Sequence, residues 1–147
     1  MSIGDDFHIE KRGRRVFHVD GKALRFRETL VFADMQGNEL CSIKEKMLRV
    51  RDSMEVERNG QVVAKVHKAL ISLLRDRFEV DLGKDHLAIQ GNIVNHEYTF
   101  EQNGRKVAEV SKKWLRIADS YGVEIAPGQD DIIILACTVC LDQMAHG

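Results

Sequence analysis

Apolar and polar residues alternate on both sides of a series of evenly spaced glycines. In MEVERNGQVVAKV, from Met54, the apolar residues Met54 and Val56 stand six and four positions before Gly60, and Ala64 and Val66 stand four and six after it. Glu55, Glu57 and Lys65 fill the intervening positions. The same arrangement surrounds Gly104 in YTFEQNGRKVAEV, with Tyr98/Phe100 and Ala108/Val110. It recurs around Gly37 in VFADMQGNELCSI, with Val31/Ala33 and Cys41/Ile43, and around Gly13 in FHIEKRGRRVFHV, with Phe7/Ile9 and Phe17/Val19. A period of two on either side of a turn residue predicts a β-hairpin with one buried face. A helix would mix apolar and charged residues on every face. Asn59-Gly60 and Asn103-Gly104 supply the positive φ that a tight hairpin turn requires.

Glycines 13, 37, 60, 83, 104 and 128 extend the repeat along the chain. The units are joined by related segments: KALRFRETLVF from Lys22, KMLRVRDSMEV from Lys46, KWLRIADSYGV from Lys113 and the looser LLRDRFEV from Leu73. In these, Glu28-Thr29, Asp52-Ser53 and Asp119-Ser120 read as turns or local bends. Residues Leu70 to Ser72 interrupt the period, compatible with a short helix or a long corner. Six units of up to two strands each predict eleven or twelve strands in one meander. A sheet of that size curls, and closing it removes its edges.

The chain closes on DDIIILACTVCLDQM, from Asp130 to Met144. The apolar run from Ile132 to Leu141 is about half the length of a membrane-spanning helix, which needs about twenty residues. Pro127-Gly128 ends the preceding strand, and Asp130 and Asp131 suit a helix N-cap and first turn. A helix apolar on all sides must be surrounded by protein. A sheet of eleven or twelve strands has room for one. The expected architecture is therefore mainly β: a closed antiparallel barrel of about twelve strands, wrapped around a central hydrophobic C-terminal α-helix. Residues 1–147 form a single domain in this reading.

Composition narrows the function classes. With 22 basic against 23 acidic residues, no global field attracts nucleic acid, and an anionic partner requires a local patch. Three cysteines and no basic-then-apolar leader point to reduced thiols and a cytoplasmic location, peripheral to a membrane at most. Cys137 and Cys140 have C-x-x-C spacing but lie well inside the apolar run. Redox pairs favour an exposed helix start, and zinc needs about two more ligands. Both cysteines, like Cys41 at an inward hairpin position, read as small core residues facing strand residues such as Ala64, Val66 and Ala108. The six histidines are scattered without metal spacing, and no motif with a catalytic mechanism is present. Neither cofactor nor metal is expected, nor enzymatic activity.

One charged pattern stands out. Arg25/Arg27, Arg49/Arg51, Arg75/Arg77 and Arg116 recur in the joining segments, paired at period two with apolar neighbours such as Leu24/Phe26 and Leu48/Val50. Brought to one end or face, they would form an anion or phosphate site through bidentate guanidinium contacts. As scattered residues, they would only solvate the outer face.

The segments KALRFRETLVF, EKMLRVRDSMEVERNGQVVAKV, NHEYTFEQNGRKVAEVSKKW and YGVEIAPGQDDIIILACTVCLDQM resemble the LURP-one-related family over essentially the whole chain. That family is similar in fold to the Tubby C-terminal domain and the phospholipid scramblases. The resemblance implies a twelve-stranded barrel around a hydrophobic C-terminal helix. For function it implies a binding module that recognises phospholipid headgroups or another anionic ligand through basic barrel residues, the arginines above being the candidates. The alternative is a protein-interaction or structural barrel with no lipid role. Unlike scramblases, this chain has neither an acidic calcium loop nor a cysteine cluster outside the core.

Overall fold

A computed structural model describes residues 7–11, 14–20, 29–47, 52–72, 75–114 and 121–146. Eleven strands follow one another as neighbours in a single antiparallel sheet. They are β1 (Phe7–Lys11), β2 (Arg14–Asp20), β3 (Thr29–Asp34), β4 (Glu39–Met47), β5 (Asp52–Arg58), β6 (Gln61–Ser72), β7 (Arg75–Asp81), β8 (His86–Asn92), β9 (Glu97–Gln102), β10 (Arg105–Ser111) and β11 (Gly122–Ile125). A helix, α1 (Asp131–His146), ends the fold. Every predicted hairpin is present. Arg58 pairs with Gln61 and Gln102 with Arg105 across two-residue turns. Asn59 and Gly60 take φ of 54° and 77°, and Asn103 and Gly104 take 52° and 78°, as a twist-matched turn demands.

The inner face is the predicted one around Gly60 and Gly104, while the predicted inward side chains Phe7, Phe17 and Val19 around Gly13 are not among the described side chains. Met54, Val56, Ala64 and Val66 are buried, as are Tyr98, Phe100, Ala108 and Val110. The unit around Gly37 differs by one residue: Leu30 and Phe32 are buried, where alternation counted from the glycine selects Val31 and Ala33. The cause is a longer turn. Asp34 N–H donates to the Asn38 carbonyl, so three residues separate the closing pair where the other hairpins have two. Asp34 Oδ1 accepts from the N–H groups of Gln36 and Asn38 and holds this loop. A register shift like those in the two-residue hairpins follows, here between Phe32 and Ala33, so the added turn residue is left uncompensated and moves the inward face of β3 by one. Residues Leu70 to Ser72 likewise make neither a helix nor a corner, since β6 continues through them with a register break between Ala69 and Ser72.

The closed twelve-strand barrel is not what forms. Among the described residues there are eleven strands, β1 pairs only with β2, and β11 pairs only with β10. The last described strand, β11, runs for four residues, and the chain then turns through Pro127-Gly128 into α1, with no twelfth strand among the described residues. The sheet nevertheless curls. In a flat sheet β5 and β11 would lie about 29 Å apart at ~4.8 Å per strand, yet α1, no more than about 12 Å across, packs against β4, β5, β6 and β11 together. Strands β3–β11 supply inner side chains around it, and Ile9 of β1 packs against the same core. Ala136 to Gln143 are eight consecutive buried residues, more than two turns, so α1 is enclosed on every side in that stretch. Cys41, Cys137 and Cys140 are buried and unbridged, as core residues.

Asp130 caps α1 as expected. Its Oδ1 accepts from the N–H groups of Ile132 and Ile133 at 3.1 and 3.2 Å. Arg58, at the β5–β6 turn, grips the same carboxylate with two guanidinium nitrogens at 2.9 and 3.3 Å. The Arg58 hydrogen bond, aided by the helix N–H groups, holds the Asp130 carboxyl below its usual range. A folded-state value below the unfolded one stabilises above about pH 4, and the gain is lost as pH falls through the folded value. Asp130→Ala is therefore expected to cost about 1–2 kcal/mol at pH 7, the range for a lost N-cap. Urea unfolding of both proteins at pH 7 and pH 3 checks this, and the difference between them should shrink at pH 3.

Candidate functional site

Successive turns of an antiparallel meander alternate between the two ends of the sheet. One end holds tight glycine turns: Asp34 to Glu39, Arg58 to Gln61, Asp81 to His86 and Gln102 to Arg105. At the other end finish or begin Asp20 and Thr29, Met47 and Asp52, Ser72 and Arg75, Asn92 and Glu97, and Ser111 and Gly122. α1 starts at the tight-turn end, where Arg58 holds Asp130, and runs towards the second end, where Asp142 meets His96 of the β8–β9 turn.

Of the sequence-predicted arginines, Arg25, Arg27, Arg49, Arg51 and Arg116 lie outside the described residues. Arg75 and Arg77 belong to β7, in register with Ser72 and Ala69 of β6. The structure thus fixes the backbone course of two of the seven.

Around the second end the described side chains form a polar and aromatic cluster built on His96. Its backbone is left-handed, with φ of 56°, a conformation that costs a residue bearing a Cβ some strain and that tertiary contacts help to hold. Two contacts do so. The imidazole stacks on Tyr121 with centroids 4.2 Å apart and planes 9° from parallel. Its Nδ1 lies 3.6 Å from Oδ1 of Asp142, whose side chain is 1 % exposed. A carboxylate this deep, in the last turns of a helix where the dipole is negative, needs a cationic or hydrogen-bonding neighbour. Burial, then the nearby Asp142 charge, pushes the Tyr121 phenol far above its ordinary range. Burial does the same to Tyr98, whose hydroxyl bonds the Thr138 side chain.

Beside this cluster stand Glu97, Lys112, Lys113 and Trp114. Glu97 accepts from Ser111 Oγ at 2.7 Å and from the Lys112 N–H at 3.0 Å, which lowers its carboxyl and locks the start of β9 to the end of β10. The strand then releases Lys112, Lys113 and Trp114, all exposed. The Trp114 ring lies over Gly122, where a methyl group would come within 3.0 Å of its Cε3. Lys113 reaches over the indole, 5.0 Å from its centroid, while its ammonium pairs with Glu109 at 2.9 Å.

Chemically this arrangement is suited to contact. Burial raises the Cys41 thiol to about 11, the Cys137 thiol to about 12, and Cys140 well above its usual value, so all three are protonated at neutral pH and poor nucleophiles. Among the described residues no three histidine, cysteine or acidic side chains are placed to hold a metal ion. His67 and His86 both approach the Asp81 carboxylate, one to each oxygen, at the tight-turn end. Among the described residues no helix is long and apolar enough to cross a membrane. Histidine spacing did not reveal the His96–Asp142 pair, because it joins a turn to a helix 46 positions away. The available signal was the acid Asp142 directly after an otherwise apolar run.

Three comparisons place the chain among known proteins. Residues 1–142 match the sequence profile of the family described as LURP-one-related. A Bacillus subtilis (strain 168) protein, named Uncharacterized protein YxjI, is 28 % identical over 147 residues, covering 99 % of this chain and 89 % of that protein. An Arabidopsis thaliana protein of known crystal structure superposes with a TM-score of 0.69 at 20 % identity, covering 97 % of this chain and 85 % of the other, and so shares the fold. With all but its last five residues inside the family profile, the chain belongs to the LURP-one-related family.

Proposed function

We propose that this protein is a non-enzymatic binding module for phosphate-bearing anionic ligands, phospholipid headgroups foremost, which it meets at the end of the sheet where α1 finishes. One observation carries the reading. The chain from Asp20 to Thr29 contains Arg25 and Arg27, that from Met47 to Asp52 contains Arg49 and Arg51, and that from Ser111 to Gly122 contains Arg116. Arg75 opens β7 and Arg77 follows two residues later. Every one of these stretches departs from or returns to the same end. The seven arginines thus belong to stretches that leave or rejoin the sheet at one end, in a chain whose net charge is only −1. Guanidinium forks match phosphate oxygens, and several together make a multidentate site. Lys112 and Lys113 add positive charge beside them.

Co-sedimentation with vesicles of graded anionic-lipid content, at several salt concentrations, tests the proposal. Binding should rise with anionic content and weaken as salt shortens the Debye length from about 30 Å at 0.01 M to about 10 Å at 0.1 M. Absence of binding even at low salt overturns it. A protein partner retained at high salt without lipid dependence would instead favour the interaction-barrel reading.

A further inference from the structure

We infer that the surface formed by Val94, Lys112, Lys113 and Trp114 is a membrane-interface seat, in which Trp114 enters the headgroup region of an anionic bilayer. The inference rests on the binding reading above and deepens it from phosphate chemistry to a lipid surface. Among the described residues the exposed large apolar side chains are Met35, Val62, Val94 and Trp114. Met35 and Val62 lie at the tight-turn end, on the β3–β4 turn and at the start of β6. Val94, 58 % exposed, and Trp114, 40 % exposed, both lie at the other end. They are linked by a run of packed groups. Val94 belongs to the Ile93–His96 turn, His96 stacks on Tyr121, and the next residue, Gly122, supports the Trp114 ring.

This support is rigid. Glu97 ties β9 to β10, and the positive-φ His96 is locked against α1 through Asp142. Binding would therefore cost little ordering entropy. An indole with a lysine over its ring has an apolar body and a wet, cationic rim, the combination that settles at a bilayer interface. Charge decides the occupant. Lys112 and Lys113 stand beside the arginine-bearing stretches, so an anionic surface is favoured, and one apolar anchor plus a basic patch gives the two signals that peripheral attachment requires.

Trp114 is the single tryptophan, so the unmodified protein reports on its own seat. On titration with anionic vesicles, Trp114 emission should shift to shorter wavelength and be quenched by lipids brominated near the headgroup, with no change on neutral vesicles. Val94→Asp, at an exposed turn, should leave the fold intact and weaken vesicle partitioning about tenfold, through an added like charge and lost apolar contact. Sedimentation with vesicles but unchanged emission would overturn the seat and leave the headgroup reading standing. Failure to sediment at low salt would overturn both. Emission that responds to a soluble acidic polypeptide but not to vesicles would also overturn the seat.

Discussion

Cys137→Asp is expected to leave the protein without a native fold. Cys137 is 0 % exposed and lies in the enclosed stretch of α1, among the side chains of the core. Its thiol is already pushed up to about 12, chiefly by burial and then by the neighbouring Cys41. A carboxyl placed there has two outcomes. If ionised, it puts an unpaired charge into apolar surroundings, and if protonated, it does so only through a pKa raised by about 3–5 units. Either way the cost is about 4–7 kcal/mol, comparable with the whole stability of an ordinary domain. Circular dichroism and a thermal melt of the purified variant decide the matter. Cys137→Ala is the control, with a loss of about 1–2 kcal/mol for the missing sulfur. A cooperative melt near wild type for the aspartate variant would show that the helix has a solvent-facing side at this position.

The second large effect is expected at Gly91, in β8 opposite Tyr98. Its φ is 121°, and a Cβ built there would lie 2.5 Å from the Glu97 carbonyl oxygen and 2.8 Å from the Tyr98 Cα. Both are backbone atoms, so no side chain can swing aside. Gly91→Ala must separate β8 from β9 or twist the strand, and behind that ladder stand Tyr98 and Phe100, whose rings are 5.9 Å apart in the core. Backbone strain of about 1–3 kcal/mol adds to an overpacking cost of similar size, for a total of about 2–6 kcal/mol. Gly83 isolates the strain, because its φ is 85° but a methyl group there meets nothing within 4 Å. Gly83→Ala should lose only about 1–2 kcal/mol, the left-handed penalty itself. Urea midpoints of the two variants give the comparison, and equal losses would mean that the strands at Gly91 yield without resistance.

Local chemistry was legible wherever it was enough to specify a feature. Asn59-Gly60 and Asn103-Gly104 announce two-residue turns because few other pairs tolerate two positive φ values in succession. Around these turns the buried face follows from counting by twos. Around Gly37 the same count fails, since Asp34, Gln36 and Asn38 stabilise a longer loop through side-chain bonds that alternation does not register. Of the site, the arginine repeat is legible as a repeat, while the end of the sheet at which its flanking strands finish depends on the turns alternating along the sheet. His96, Asp142 and Tyr121 were not legible as a group. Their separations of 46, 21 and 25 positions carry no periodic signal, and only the curl of the sheet over α1 brings them together.

By itself, then, the sequence determined the strands, most of their inward faces, the capped terminal helix and its burial, because each follows from short-range alternation, turn chemistry and length. Closure was a different matter. Whether a large sheet seals depends on a ladder between its first and last strands, and the length of the final strand and the turn at Pro127-Gly128 work against one. The tertiary structure also decided which surfaces could act. It set the exposed Trp114 and Val94 at the end of the sheet where α1 finishes, and it brought His96, Tyr121 and Asp142 together. The physical reason is the same in both cases. Burial and proximity arise from packing between residues distant in the chain, and no local pattern encodes which distant partner will arrive.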